Sequence, residues 1–260
     1  MMFPPSRRWP ILGGIALLLL LTGGAIYYFA GTLKPATTAD LVGYFPAREA
    51  TVLYFDVNAL RASGILEKLV GSTVGEASEY RAFIAQTGFD YKRDLDRVLL
   101  NSSGGIHYFL LEGRFDWNKL KAYAKEQKGS CSGNDCHLQG STPDRVISWR
   151  KLSGGRMALA SARDENGARD IAPDIETRRP EPVAYEIPNT PIWLHVPGEV
   201  LRATQQLPPG TRLFAKALET AERATFALGS QDKKFALAAE VVCKNPEDAA
   251  VLRAQLEGIT

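Results

Sequence analysis

The residues with the most reactive side chains cluster once. Cys131 and Cys136 enclose Ser132-Gly133-Asn134-Asp135, and His137 follows directly. Three chemistries are open to such a set. Two thiols this close, in an oxidising compartment, can close a disulfide that pins a polar loop. Two thioethers and the histidine could hold a c-type haem. However, Cys-x4-Cys-His is a lengthened relative of the usual C-x-x-C-H, and the possible second ligands Met157, His107 and His195 have no supporting context. A structural zinc site needs four ligands, and this set offers three. The disulfide between Cys131 and Cys136 is the favoured reading. Cys243, at the end of an apolar stretch, is then a buried thiol that behaves as a small hydrophobe.

The other polar groups give weaker signals. His107 and His195 fall on strand-like stretches, with no nucleophile or carboxylate placed to work with them. The chain has no G-x-S-x-G, H-E-x-x-H, G-x-x-x-x-G-K-[ST] or G-x-G-x-x-G. Ser102-Ser103-Gly104-Gly105 reads as a hairpin turn rather than an anion cradle. Asp164-Glu165-Asn166-Gly167 lacks the first and last ligands of a calcium loop and reads as a turn. Asp90, Asp94 and Asp96 alternate with Lys92, Arg93 and Arg97, the pattern of a solvated face. The sequence assigns no catalytic, cofactor-binding or metal-binding residue and implies no cofactor.

The elements that would position these groups are α+β. Thr51–Val57 is β-branched and aromatic and reads as a buried strand. Asn58 is placed to cap a helix running to about Val70, and a second helix spans 76–87, ended by Gly88. Residues 89–95 read as a charged loop. Residues 97–101 and 106–112 form a hairpin, and Asp116 caps a helix through about Gln127. Strands follow at 145–150 and 156–160. Five prolines between Ala172 and Pro191 mark a linker.

The second half echoes the first. Ile192–Val196 is a strand, and Val200-Leu201-Arg202 follows it as Ala59-Leu60-Arg61 follows the first. Glu222-Arg223-Ala224-Thr225-Phe226 echoes Asp96-Arg97-Val98-Leu99-Leu100, a strand at 235–242 comes next, and Asn245-Pro246 starts a closing helix. The strand–helix–strand–strand–helix order predicts two ferredoxin-like (split βαβ) antiparallel-sheet units, at 41–171 and 192–260, with 172–191 as the linker. The second unit ends soon after its last helix, so its sheet edge is expected to be open to a partner.

Ahead of these units, residues 11–30 (ILGGIALLLLLTGGAIYYFA) carry no charge. About 20 such residues match a bilayer core of roughly 30 Å. Trp9 and the Tyr27-Tyr28-Phe29 cluster flank the stretch as interface anchors, and Arg7 and Arg8 precede it. The stretch is longer than the apolar core of a signal peptide and ends in bulky residues. Residues 1–34 therefore read as a cytoplasmic stub and an uncleaved transmembrane helix. The expected location is the bacterial inner membrane, with the bulk of the chain in the periplasm or outside.

The composition narrows the function classes. The 260 residues are 45% hydrophobic and 23% charged, as in ordinary globular chains, and carry a net charge of +2. Removing Arg7, Arg8 and Lys34 leaves 28 basic residues against 29 acidic, a net of −1. The positive balance belongs to the anchor, and a near-neutral remainder argues against a nucleic-acid partner.

Phe45-Pro46-Ala47 before Ala50–Val57, Gly88-Phe89-Asp90 with Asp94-Leu95-Asp96, and Glu112-Gly113-Arg114-Phe115-Asp116 together resemble a group of uncharacterised bacterial envelope proteins. Those have an N-terminal anchor and a repeated α+β ectodomain. The resemblance covers most of 41–128 and implies location and architecture, with no activity to carry over. The expected function is a non-catalytic ectodomain that binds an envelope protein or supports envelope assembly, held to membrane lipid by residues 11–30. The alternatives are an enzyme whose residues come together only in the fold, and a haem carrier at Cys131–His137.

Overall fold

The computed structural model describes residues 37–70, 78–171, 180–202, 218, 220–231 and 234–257. The predicted transmembrane segment 11–30 lies outside them. Among the described residues no helix is long and apolar enough to cross a membrane. The chain divides into two compact units, Met1–Thr38 and Ala39–Thr260. Every described strand belongs to the second.

Ten strands form one antiparallel sheet. In chain order they are β1 (Thr51–Asp56), β2 (Leu95–Ser103), β3 (Ile106–Gly113), β4 (Ser130–Ser132), β5 (Asp135–Gln139), β6 (Val146–Lys151), β7 (Arg156–Ala162), β8 (Ile192–Pro197), β9 (Ala221–Gln231) and β10 (Lys234–Cys243). In space they run β10-β9-β8-β1-β2-β3-β7-β6-β5-β4. The mixed α+β class agrees with the sequence. The ferredoxin-like expectation finds no support in this topology. A split βαβ unit keeps a third strand between the two strands that its helix connects, whereas here β1 pairs directly with β2 and β8 directly with β9. Nor do the halves close on separate sheets, because β1 pairs directly with β8.

The nine described helices are α1 (Thr38–Val42), α2 (Val57–Ala62), α3 (Ile65–Val70), α4 (Ser78–Thr87), α5 (Tyr91–Asp94), α6 (Trp117–Glu126), α7 (Gly167–Ile171), α8 (Gly198–Arg202) and α9 (Pro246–Glu257). Several follow the sequence closely. Asp116 accepts from Asn118 N and Lys119 N at 3.1 Å and caps α6. Gly88, at φ +71°, ends α4. Others differ for a local reason. Asp56, not Asn58, caps α2, accepting from Ala59 N at 2.8 Å. Gly64, at φ +69°, divides the expected helix 59–70 into α2 and α3. Residues 89–95 are not all loop, since Asp90 caps the one-turn α5.

The sheet junction has a local two-fold pattern. Leu53 faces Leu194 at its centre, flanked by Tyr54 against Trp193 and Val52 against His195. The neighbours correspond: Leu53 also faces Leu100, and Leu194 also faces Phe226. The β2–β3 register shifts between Leu95 and Arg97, and the β9–β10 register shifts at the matching place, between Val242 and Cys243. Leu60 and Leu201 are both buried, one on α2 and one on α8. Arg61 then donates to Leu95 O, and Arg202 donates to Ala221 O at 3.4 Å. These matched contacts involve the same residues whose sequences echo each other.

Alternation along each strand builds a core on both sheet faces. On one face Leu201 and Leu252 pack with Val196 and Ala224, and Leu120 and Ala124 pack with Trp149 and Met157. On the other face lie Val52, Tyr54, Leu99, Asn101, Tyr108, Trp193 and His195, all buried. Small residues there let α7 approach closely. Ala168 N donates to Ser148 Oγ at 3.0 Å, and a Cβ on Gly167 would lie 3.0 Å from the Cβ atoms of Ala160 and Ala162.

Asp94 corrects the reading of a solvated acidic face. It is 7% exposed. It accepts from Arg93 Nε at 3.0 Å, Arg93 Nη2 at 2.7 Å and Asp90 N at 3.0 Å. The Arg93 hydrogen bonds, against the opposing effect of burial, hold its carboxyl at about 2. The folded value lies below the ordinary 3.8, so this contribution is complete above about pH 4 and is lost as pH falls through 2. Because Arg93 is largely exposed, Asp94→Asn is expected to cost only about 1–2 kcal/mol at neutral pH. Urea titrations at pH 7 and pH 2 check this: wild type and variant should differ at the first and converge towards the second.

Candidate functional site

The cysteine loop is a hairpin. Cys131 on β4 faces Cys136 on β5, and their sulfurs are 2.05 Å apart in a disulfide. Gly133, at φ +60°, makes the turn. The sequence read a polar loop here because Ser, Gly, Asn and Asp have little strand preference. Of the readings open to this set, the structure has the favoured one, with the two sulfurs joined to each other. Cys131→Ser with Cys136→Ser opens a ring of six residues and is expected to cost about 2 kcal/mol by loop entropy. Chemical unfolding of oxidised wild type and the double variant measures it. Cys243 is a free, half-buried thiol whose proton is held more tightly by burial.

The three histidines are far apart in the fold. His107 Nδ1 lies 2.9 Å from Ser102 Oγ across the β2–β3 hairpin. This is a serine–histidine contact that the sequence reading missed. Cross-strand register accounts for it, since the two residues face each other. His137 Nε2 meets Glu165 Oε2 at 3.2 Å and Ser130 Oγ at 3.4 Å. A nucleophilic triad needs the base to hold the acid on one ring nitrogen and the nucleophile on the other. Here both partners share Nε2, so the set lacks that geometry. Met157 is buried under α6. Among the described residues no three His, Cys, Asp or Glu side chains come together as a metal site.

His195 is different. It lies beside the β1–β8 junction and borders a cleft of about 410 Å³. The floor follows one line across three strands: Asn101 faces Val52, and Val52 faces His195. Gly43, Phe45 and Ala47 form one wall, and residues 182–185 of the proline-rich segment form the other. Glu181 N donates to Gly43 O at 3.2 Å, and a Cβ on Gly43 would collide with Glu181 O. Glycine is therefore what allows the two walls to meet. Arg48 and Glu181 form an ion pair beside them. The rim carries both signs, with Glu199, Arg202, Glu222, Arg223 and Lys244.

The floor is polar but uncharged. Asn101 is 1% exposed; its Nδ2 donates to Ala47 O at 2.9 Å, and its Oδ1 has no partner among the described residues. His195 Nδ1 lies 3.0 Å from Thr225 Oγ1, and its ring stacks on Tyr185 with centroids 3.6 Å apart. Burial, with a smaller effect from the positive charge of Arg223, lowers the imidazole to about 4, so it is neutral at physiological pH. Burial also raises the Tyr185 phenol above its ordinary 10, and its hydroxyl has no partner among the described residues. Buried polar atoms normally find partners, so these orphans give the cleft an unmet hydrogen-bonding capacity. The sequence could not show this, because Asn101, Tyr185 and His195 come from distant segments.

No family model matches the chain, and no curated protein matches it. Three solved structures of TP0453 are similar in outline. Crystal form IV is 7% identical and covers 78% of this chain and 81% of that one; form I is 11% identical, covering 85% and 87%; form III is 9% identical, covering 84% and 87%. Each has a TM-score of 0.45.

Proposed function

We propose that this is a single-pass membrane protein whose ectodomain is a non-catalytic binding or envelope-assembly module, with the cleft beside the β1–β8 junction as its recognition site. The observation that carries the reading is the cleft lining, where the Asn101 and Tyr185 orphans and the neutral His195 offer hydrogen bonds without a charge. Such a lining suits an uncharged polar group, a peptide backbone or an amide, and the mixed rim suits a zwitterionic surround. The location rests on the uncharged run 11–30 behind Arg7 and Arg8, and on the disulfide, which suits an oxidising compartment. The resemblance of residues 41–128 to anchored envelope proteins agrees with it.

The test replaces Glu199, exposed on the rim, with a photo-crosslinking residue in the full chain, in the bacterium that encodes it. A discrete crosslinked partner is expected, and Asn101→Leu or His195→Leu should remove it while intrinsic fluorescence shows the fold intact. An unchanged crosslink in both variants, or none in wild type, counts against the cleft. Location has its own test, a phosphatase fused after Thr260. Activity outside the cytoplasm is expected, and cytoplasmic fluorescence from a matched reporter would overturn the orientation.

A further inference from the structure

A second concavity lies on the opposite face of the sheet from the cleft floor. It is a groove of about 390 Å³, partly open to solvent, between α4, α6 and strands β3, β5, β6 and β7. Its lining is entirely of aliphatic and aromatic side chains, with Leu111, Trp149, Met157 and Leu159 on the strands. Across its roof Phe83 of α4 meets Tyr123 of α6 edge-on, with ring centroids 5.1 Å apart. A groove of this size lined by carbon atoms has the dimensions and lining of an apolar ligand site.

A depression beside it supplies the opposite chemistry. Phe115 is shared between the hollow and a shallow depression formed with Arg114, Asp116, Trp117, Asn118 and Lys151. Lys151 Nζ stands 5.5 Å over the Trp117 ring and has no ion pair among the described residues. Arg114 Nε lies 3.5 Å from Asp94, its Nη2 donates to Arg93 O, and its side chain is largely exposed. The one acid of the depression, Asp116, is engaged by the α6 N–H groups of Asn118 and Lys119. A wholly apolar hollow next to an uncompensated ammonium and a guanidinium is complementary to one chemical class.

We propose that this hollow takes the alkyl chain of an anionic amphiphile, with the head group, a carboxylate or a phosphodiester, held at Lys151 and Arg114. The site is separate from the cleft and needs no partner protein. It would let the ectodomain carry or sense a lipid while its own helix holds it at the membrane.

The test uses the full chain in nanodiscs of zwitterionic lipid. Three diazirine-tagged probes of equal chain length are compared: a fatty acid, an anionic phospholipid and the uncharged fatty alcohol. Crosslinks from at least one anionic probe are expected in α4 and α6. Leu159→Trp, which fills the hollow, should remove them. Lys151→Glu, a surface change, should lower labelling by the anionic probe at least fivefold and leave labelling by the alcohol unaltered. Whichever anionic probe labels identifies the source, a free fatty acid or a membrane phospholipid. Labelling confined to residues 11–30, equal labelling by the alcohol, or labelling indifferent to Lys151→Glu would each overturn the proposal.

Discussion

Trp193→Ala is expected to destabilise the fold by about 3–5 kcal/mol, the range for truncating a fully buried aromatic. Trp193 is 1% exposed on β8 and faces Tyr54 across the strand pair that joins the two halves. The Trp193 and Tyr54 rings stack with centroids 5.6 Å apart, and Tyr185 meets Trp193 edge-on at 6.4 Å. Truncation would therefore remove packing from the sheet centre and from one wall of the cleft. The Trp193 Nε1 has no partner among the described residues. Trp193→Phe would thus keep much of the apolar surface while deleting an orphaned donor, and should cost less than about 1.5 kcal/mol. For a domain of this size the alanine variant should melt roughly 10 °C lower. Calorimetry on the two variants checks both figures. Equal losses would mean that the indole hydrogen bonds to a partner outside the described residues.

The second large effect is acid sensitivity through His195. The folded imidazole titrates near 4, against 6.5 when unperturbed. Between those values the unfolded chain binds a proton that the folded chain does not. Stability from this group is complete above about pH 6.5, falls as pH drops towards 4, and falls no further below it. The full loss is about 3 kcal/mol. The groups facing the ring give the same sign. Thr225 and Tyr185 carry no charge, and Arg223 repels a second positive charge. His195→Gln should remove this pH dependence while keeping a hydrogen-bonding side chain opposite Thr225. Unfolding free energies of wild type and variant at pH 7, 5.5 and 4 would show it as a difference that shrinks with acidification. A difference that stays constant would mean the imidazole titrates normally.

Local features were legible wherever short-range chemistry decides them. The β1 run, the Gly104-Gly105 turn, the Asp116 cap and the Asn245-Pro246 start all follow from residue types at fixed spacing. Errors came where two neighbours competed. Asp56 and Asn58 can both cap a helix, and Asp56 does because the strand ends one residue earlier than expected. The β4–β5 hairpin was hidden by its turn-forming composition, and its pairing is fixed by a disulfide and by β6 alongside. The echo between Arg61 and Arg202, or between Arg97 and Arg223, could be read from the sequence. That the two halves meet strand to strand could not, because antiparallel pairing of β1 with β8 is made by backbone groups at strand edges, which residue types in distant segments do not mark. The cleft inherits that limit, being made of residues that only the junction brings together.

The junction is therefore the feature on which the cleft depends, and a pair of introduced cysteines tests it most directly. In a Cys243→Ser background, Leu53→Cys with Leu194→Cys places two thiols opposite each other on adjacent strands, which lie about 4.8 Å apart. Mild oxidation should join them nearly completely, giving a peptide that links β1 to β8. Leu53→Cys with Phe226→Cys spans one strand more and should stay reduced, since cysteines on non-adjacent strands lie too far apart to bridge. A bridge in the second pair, or none in the first, would contradict the shared sheet and the cleft built on it.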